Sequence, residues 1–186
     1  MNKKELRQYY KALRHEIPHK AQKSEIICSM LQKHPAWRTA RTVALYASLP
    51  DEVDTAGMIS AALCSGKCVC LPKVRGGEMQ FYSISADTAF AHGAFGIREP
   101  ENTAVVPKEQ IDIIIVPLLA ADNDNYRLGF GGGYYDKYLK DFTGVSIGVC
   151  FSEQRSPLSL PHEAHDIAPD EIISDCDKPA EVEGVS

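Results

Sequence analysis

The stretch Asp112-Ile-Ile-Ile-Val-Pro117 decides the fold, because it is a nearly continuous apolar run without polar alternation. Such a run is typical of a strand that is covered on both faces, and strands of that kind belong to parallel sheets. Val145-Ser-Ile-Gly-Val-Cys150 has the same character. The chain is therefore predicted to be a single α/β domain in three layers, α/β/α, with helices on both faces of a mostly parallel sheet.

Helical and strand patterns surround these two strands. Apolar residues recur every 3.6 residues from Lys3 to Ile17, which predicts an amphipathic helix, and Pro18 opens a second helix that ends at Pro35. We expect these two helices to precede the first strand. The other predicted elements are strands at 42–46, 68–72 and 78–84, a short one ending at Ile172-Ile173, and a helix at about 55–64 with Asp54 as its N-cap and Gly66 as its stop.

Two parts of the chain carry no clear pattern. Residues 85–109 are predicted to be irregular. The domain is predicted to span residues 1–175 and to be followed by a frayed tail at 176–186, with fraying from about Asp175 onward.

A glycine-rich loop, Arg127-Leu-Gly-Phe-Gly-Gly-Gly-Tyr-Tyr-Asp136, follows the first of the two buried strands and opens a helix at Tyr134. Open α/β sheets bind ligands outside the carboxyl ends of their strands. The four glycines permit positive φ and close approach, so successive backbone N–H groups can converge on a phosphate. Arg127 would add positive charge, and Asp136 would add a hard oxygen ligand for Mg²⁺.

The glycines alone favour a tight surface turn, because the loop matches neither the Walker A pattern nor the dinucleotide-binding fingerprint. The charged residues Arg127 and Asp136 at its two ends favour a phosphate site. Two neighbouring motifs are interpreted as structural. His162-Glu-Ala-His-Asp166 is one residue short of a zinc-protease motif, and Asp122-Asn-Asp-Asn125 is predicted to be a turn because Arg127 occupies the glycine position of a calcium loop.

The composition excludes several classes of function. The chain has 186 residues, 44% of them hydrophobic, and its net charge of -5 argues against binding to nucleic acid or to an anionic membrane. No apolar run approaches the roughly 20 residues that a membrane span needs. Six cysteines without a Cys-x-x-Cys pair, and an N-terminus without an apolar signal core, predict free thiols in a cytoplasmic protein. Cys68 and Cys70 are predicted to be buried strand residues rather than metal ligands.

The longer string Asn125-Tyr-Arg-Leu-Gly-Phe-Gly-Gly-Gly-Tyr-Tyr-Asp-Lys-Tyr-Leu139 resembles the 5-formyltetrahydrofolate cyclo-ligase family, also called methenyltetrahydrofolate synthetases. The resemblance covers nearly the whole chain except the acidic tail. Its shorter matches are Lys3 to Arg7, Leu45-Tyr-Ala47, Asp51-Glu-Val-Asp-Thr55, Leu71-Pro-Lys73, Gly96-Ile-Arg-Glu-Pro100, Val116-Pro117 and Leu160-Pro-His-Glu-Ala-His-Asp166.

This resemblance implies the conversion of 5-formyltetrahydrofolate to 5,10-methenyltetrahydrofolate, with ATP and Mg²⁺ required and with ADP and phosphate released. The formyl oxygen would be phosphorylated on the way. The implied partner is a small molecule, the folate with or without a polyglutamate tail, and we expect the protein to be a monomer.

The resemblance also implies roles for individual residues. Arg127 and Tyr134 would be catalytic, and Asp136 and Asp166 would hold Mg²⁺. ATP would be bound by Lys3, Lys4, Arg7, Arg127, Leu128, Gly129, Phe130, Gly131, Gly132, Gly133, Tyr134 and Tyr135. The folate would be bound by Ala47, Glu52, Phe130, Gly131, Gly132, Gly133 and Tyr134. A carboxylate such as Glu52 suits the pterin, because N3–H and the 2-amino group are adjacent donors that it can accept together. The chain departs from the family at Gly132, where some members carry lysine, and at Ala121, where an aromatic residue is usual.

Two questions stay open at this point. The first helix carries a basic stripe, Lys4, Arg7, Lys11 and Arg14, which on spacing alone favours a solvated face on which Arg14 would matter little. The match at Lys3 and Arg7 favours contact with ATP instead. For the whole chain, a sugar-phosphate isomerase would need a general base that the sequence does not reveal. A non-catalytic nucleotide sensor would not need Glu52, Asp136 and Asp166.

Overall fold

The computed structural model describes residues 1–92, 98–101 and 103–177. Its strands are β1 (Thr42–Ala44), β2 (Cys68–Arg75), β3 (Glu78–Ile84), β4 (Phe90–His92), β5 (Arg98–Pro100), β6 (Val105–Val106), β7 (Ile113–Pro117), β8 (Ala120–Ala121), β9 (Arg127–Leu128), β10 (Val145–Cys150) and β11 (Glu171–Ser174). Its helices are α1 (Lys3–Glu16), α2 (Lys20–Lys33), α3 (Pro35–Thr39), α4 (Ala56–Cys64) and α5 (Tyr134–Leu139), with short 3₁₀ helices at Lys108–Gln110 and Ser152–Gln154.

Seven of the described strands form the central sheet, in the order β11-β10-β7-β1-β2-β3-β6. The five from β11 to β2 are parallel, whereas β3 pairs antiparallel with both β2 and β6. β7, whose apolar run was the basis for the fold prediction, lies between β1 and β10 near the middle of the sheet. The prediction of a mostly parallel α/β sheet is confirmed.

The apolar run of β7 divides between the two faces of the sheet, because successive strand residues point in opposite directions. Ile113 and Ile115 join a core that α2, α3 and α4 cover, with Leu31, Trp37 and Met58 among its buried side chains. Ile114 and Val116 face the opposite side, where the cover consists of α5 and residues from the β3–β6 edge. Helices therefore lie on both faces, and the α-helix that covers the second face in the described part of the chain is the six-residue α5.

The N-terminal region contains three helices before β1, so the prediction of two was one short. Pro35 was expected to end the second helix, but it also begins α3, since a proline at the first helical position loses no hydrogen bond. α1 begins with a capping box in which the Asn2 side chain accepts from the backbone and the Glu5 side chain accepts from Asn2 N–H. This cap fixes the start of α1 close to the N-terminus.

Several sequence predictions need correction. The segment 85–109 is not wholly irregular, because it contains β4, β5, β6 and a 3₁₀ helix, with residues 93–97 and 102 outside the described part. Thr55, not Asp54, is the N-cap residue of α4, although the Asp54 side chain does accept from Ala56 N–H. Cys70 is buried as predicted, but Cys68 is exposed at the start of β2. Gly76 and Gly77 form the turn between β2 and β3, and both have positive φ.

The predicted tail begins near the end of the described residues. Asp175 accepts from Ser152 N–H at 2.7 Å, and the Asp177 side chain bonds back to Ser174, so the chain is held in place as far as 177. Residues 178–186 lie outside the described part. Among the described residues, no helix is long and apolar enough to cross a membrane.

The chain passes from the carboxyl end of β7 to the glycine loop through one hairpin. β8 and β9 form a small antiparallel hairpin whose turn is Asp122–Asn125, as predicted. The buried Asp122 carboxylate stabilises this turn by accepting from the N–H groups of Asp124 and Tyr126, and it also accepts from Leu160 N–H. α1 packs over the hairpin through Tyr10, which lies in one apolar cluster with Leu128. The loop is thus framed by α1, α5 and the segment after Leu160.

Candidate active site

α1 lies along the glycine loop and touches three separate parts of the site. Lys3 pairs with Asp166, Arg7 bonds the loop backbone at Gly129, and Arg14 faces Glu52. Residues at these spacings share a helical face, because each turn of an α-helix takes 3.6 residues. The helix therefore aligns three cations along one wall.

The first contact ties the N-terminus of α1 to the segment 163–166. Lys3 Nζ lies 2.6 Å from Asp166 Oδ2 and 3.0 Å from Glu163 Oε1. Asp166 Oδ2 also accepts from Glu163 N–H at 2.7 Å. Burial acts to raise the pKa of Asp166, but the hydrogen bonds from Lys3 and Glu163 N–H outweigh it and hold the pKa below its usual range. Asp166 is therefore a carboxylate at neutral pH.

The second contact of α1 places the Arg7 guanidinium against the glycine loop. Arg7 Nε donates to Gly129 O at 2.9 Å, and the guanidinium carbon lies 3.5 Å from where a Cβ of Gly131 would be. Gly131 has φ of +105°, a conformation that side chains rarely adopt. Of the four loop glycines, each of which permits positive φ, Gly131 and Gly133 adopt it.

Several backbone N–H groups of the glycine loop are available to bind a ligand. Among the residues that the structure describes, the N–H groups of residues 130–133 have no hydrogen-bond acceptor. Gly132 serves a different purpose from its neighbours, since a Cβ there would lie 2.6 Å from the Tyr134 ring. A row of free N–H groups beside a guanidinium is suited to an anion.

A part-buried ion pair anchors the end of the loop. Arg127 Nη2 lies 3.0 Å from Asp136 Oδ1, and Arg127 Nη1 donates to Ile167 O. Asp136 Oδ1 also accepts from Ile167 N–H at 3.0 Å. The Arg127 side chain is 4% exposed, so it acts here as an internal brace. Because Ile167 follows Asp166, the brace brings both predicted metal ligands to one wall of the site.

The third contact of α1 is a buried pair of opposite charges. Glu52 and Arg14 are both buried, with Arg14 Nη1 at 3.6 Å from Glu52 Oε1, while Glu52 Oε2 accepts from Leu49 N–H at 2.9 Å. Burial raises the pKa of Glu52, and the hydrogen bond from Leu49 and the charge of Arg14 oppose that rise. The exposed ring of Phe130 covers Arg14, with the guanidinium carbon 5.2 Å from the ring centroid.

Tyr135, the second residue of α5, packs against the core on the α5 side of the sheet. Its hydroxyl is buried and has no hydrogen-bond partner among the described residues. Burial raises the pKa of Tyr135, and the charge of Glu52 raises it further. Ala47, half-buried at the end of the β1 segment, packs against the adjacent core.

Arg14 corrects one expectation drawn from the sequence. The basic stripe of α1 was interpreted as a solvated face on which Arg14 would matter little, but Arg14 is 5% exposed. Lys4 and Lys11 are exposed and do belong to such a face. Arg7 and Arg14 lie two helical turns apart on the inner face, so the spacing contained a signal that could have identified Arg14.

The remaining predicted site residues take different places. Tyr134 is half-buried and packs toward the core on the α5 side of the sheet, where it borders a cavity of about 390 Å³ together with Phe81 and Tyr138. Leu128 is buried beneath α1 and supports the loop from below. Sequence reasoning missed Arg14 and the main chain of Ile167, which joins Arg127 to Asp136.

Known proteins resemble this chain over most of its length. The sequence model described as the 5-formyltetrahydrofolate cyclo-ligase family matches residues 1–175. A probable 5-formyltetrahydrofolate cyclo-ligase of Schizosaccharomyces pombe is 31% identical over 80% of this chain and 81% of its own length. A 5-formyltetrahydrofolate cyclo-ligase of Haemophilus influenzae is 33% identical over 70% of this chain and 73% of its own.

Solved structures give the same answer. The NMR structure of Aquifex aeolicus 5,10-methenyltetrahydrofolate synthetase superposes with a TM-score of 0.84 at 34% identity, covering 100% of this chain and 97% of that one. A 5,10-methenyltetrahydrofolate synthetase from Mycoplasma pneumoniae superposes with a TM-score of 0.76 at 26% identity, covering 94% and 99%. The family model, the relatives and the shared fold therefore show that the chain belongs to the 5-formyltetrahydrofolate cyclo-ligase family of enzymes.

Proposed function

We propose that this enzyme uses ATP and Mg²⁺ to convert 5-formyltetrahydrofolate to 5,10-methenyltetrahydrofolate, with release of ADP and phosphate, as a cytoplasmic monomer. One observation carries the proposal. Along a single face of α1, Arg7 contacts the glycine loop, Lys3 pairs with Asp166 on one side of it, and Arg14 faces Glu52 on the other. A phosphoryl donor and a folate bound in these two regions would meet at the loop.

ATP phosphates are assigned to the loop and the start of α1. Arg7 and the free N–H groups of residues 130–133 supply a cation and several donors in one place. Lys3 lies at the Asp166 end of the same helix face, and the exposed Lys4 is one residue along. Because phosphoryl transfer is catalysed mainly by positioning and charge stabilisation, such a cluster suits it.

Mg²⁺ is assigned to Asp136 and Asp166. Each carboxylate is fixed through one oxygen, Asp136 by Arg127 and Ile167 N–H, and Asp166 by Lys3 and Glu163 N–H. The second oxygen of each accepts no hydrogen bond from the residues that the structure describes, and the exposed His165 ring lies 3.9 Å from that of Asp166. Two such oxygens fit a hard cation that takes one or two carboxylates together with phosphate oxygens. When bound, Mg²⁺ would offset phosphate charge.

The folate is assigned to the pocket of Glu52 and Ala47, with Phe130, the loop glycines and Tyr134 along its border. The Glu52 carboxylate would accept from N3–H and the 2-amino group of the pterin. Glu52 Oε2 accepts one hydrogen bond from Leu49 N–H, and a carboxylate oxygen can accept a second. Burial makes this pairing more selective, because donors left without acceptors there are costly.

The chemistry follows from the poor reactivity of an N-formyl amide. The formyl oxygen would attack the γ-phosphorus of ATP, the bond to ADP would break, and the formyl carbon would become electrophilic. N10 would then add to that carbon and lose its proton, and the carbon–oxygen bond would break to release phosphate. Arg7 and the loop N–H groups would stabilise the charge on the transferring group, and the Arg127 brace would keep Asp136 in position.

The test is ADP release on mixing the protein with ATP, Mg²⁺ and 5-formyltetrahydrofolate, compared with the same mixture without the folate. We expect ADP and the methenyl product to form together and in equal amounts. ADP release that is independent of the folate, or no methenyl product, would rule out this function.

A further inference from the structure

Arg14 is the most unusual charged residue in the described part of the chain. It is 5% exposed, and its Nε and Nη1 atoms are buried without a hydrogen-bond partner among the described residues. Buried donors are nearly always paired, and leaving them unpaired destabilises the folded state. Two unpaired donors on one guanidinium therefore indicate that something else completes the site.

Glu52 does not complete it. Arg14 Nη1 lies 3.6 Å from Glu52 Oε1, which compensates its charge but is too long for a hydrogen bond. Phe130 covers the guanidinium with its ring and offers no acceptor atom on its side chain. Because Phe130 is itself exposed and lies between Gly129 and Gly131, a movement of its side chain would uncover one face of the Arg14 guanidinium.

The pair presents an acceptor and a donor side by side. A pterin carries, along one edge, the 2-amino group, N3–H and the 4-oxo group, which are two donors followed by an acceptor. We propose that Arg14 is a folate-binding residue that donates a hydrogen bond to the 4-oxo oxygen while Glu52 accepts from the two donors beside it. This inference rests on the proposed function and assigns a further residue to it.

The assignment makes Arg14 a determinant of specificity. A guanidinium has only donors, so it pairs with a 4-oxo group and opposes a 4-amino group at the same position. Sites that hydrogen-bond a ligand group discriminate strongly against analogues that lack it, because the buried protein group is then left unpaired. The enzyme should therefore prefer the 4-oxo folate to its 4-amino analogue.

The experiment compares two ligands without ATP: 5-formyltetrahydrofolate and its 4-amino analogue. Calorimetric titration gives the ratio of their dissociation constants for the wild type and for Arg14→Met, Arg14→Gln and Arg14→Lys. We expect the preference for the 4-oxo ligand to fall about 10- to 100-fold in Arg14→Met and Arg14→Gln, by loss of a charged hydrogen bond. Arg14→Lys keeps a charged donor and should retain most of the preference for the 4-oxo ligand. Lys11→Met, on the exposed face of α1, should leave the ratio unchanged.

The ratio separates binding from a structural role. The change of ligand also removes the proton at N3, which affects the contact with Glu52 beside Arg14. Measuring the same ratio in Glu52→Gln, with and without Arg14→Met, gives the part of it that this contact contributes. If Arg14 only compensates the charge of Glu52, its replacement will weaken the binding of both ligands alike. The ratio of their dissociation constants will then stay the same, which would overturn the inference. A wild type that binds both ligands equally would overturn it even if every Arg14 variant unfolds. A wild type that binds neither would refute the proposed function as well.

Discussion

Replacing Glu52 with glutamine should separate folate binding from ATP binding. Glu52 is 8% exposed, accepts from Leu49 N–H at 2.9 Å, and lies 3.6 Å from the Arg14 guanidinium. Glutamine has nearly the same shape but puts an NH₂ group where a carboxylate oxygen was. That group would oppose the pterin donors and leave Arg14 without a negative partner.

Two magnitudes follow from this geometry. Loss of a charge-assisted pair of hydrogen bonds should cost about 2–4 kcal/mol of folate binding, or roughly 30- to 1,000-fold in Kd. Removing one partner of a buried ion pair costs about 3–5 kcal/mol of stability. The long Arg14–Glu52 contact favours the lower end, about 3 kcal/mol, which for a chain of this size lowers Tm by about 6–12 °C.

The assay is calorimetric titration of 5-formyltetrahydrofolate, and separately of ATP with Mg²⁺, at a temperature where both proteins are folded. Asp51→Asn is a matched control, because Asp51 adjoins Glu52 in sequence but pairs outward with Lys20 and His15. ATP binding should change little in either variant. Equal losses for both ligands would indicate a general structural defect, and unchanged folate binding would remove Glu52 from the pterin site.

Three further predictions concern the rest of the site. Asp136→Asn should abolish turnover at limiting Mg²⁺ while the amide still accepts from Ile167 N–H, and full activity under those conditions would exclude Asp136 as a metal ligand. Arg7→Gln should raise the KM for ATP and lower kcat, by about 10- to 100-fold in kcat/KM, whereas Lys11→Gln on the exposed face should have no effect; identical ATP kinetics would return Arg7 to a structural role. Burial raises the pKa of Glu52, so folate affinity should fall as the pH drops through that raised value, because the protonated acid accepts one donor fewer. In Glu52→Gln this pH dependence should vanish, and its persistence would show that another group titrates.

The long buried strands could be predicted from the sequence, because their apolar runs exclude most other structures. β7 and β10 are five and six residues long, which is enough for the pattern to be recognised. β4 and β6 have three and two residues, too few to display a period of two. Such short strands form because a neighbour offers unpaired backbone groups, and that information is not local.

The candidate site was predictable to the extent that it is local in sequence. The glycine loop, with Arg127 and Asp136 at its ends, is one continuous segment, and its charges indicated an anion and a metal. The partners of those charges were not predictable, because Ile167 and Lys3 come from distant segments. Arg14 was misjudged for the same reason: a basic residue on an amphipathic helix is usually solvated, and only the fold brings Glu52 opposite it.

The central claim is that ATP activates the formyl oxygen, and an isotope experiment tests it most directly. The protein is supplied with ATP, Mg²⁺ and 5-formyltetrahydrofolate carrying oxygen-18 in the formyl group, and the released phosphate is analysed by mass spectrometry. If the formyl oxygen attacks phosphorus and leaves with it, each phosphate formed together with the methenyl product contains one labelled oxygen. Unlabelled phosphate accompanying the methenyl product would contradict the account.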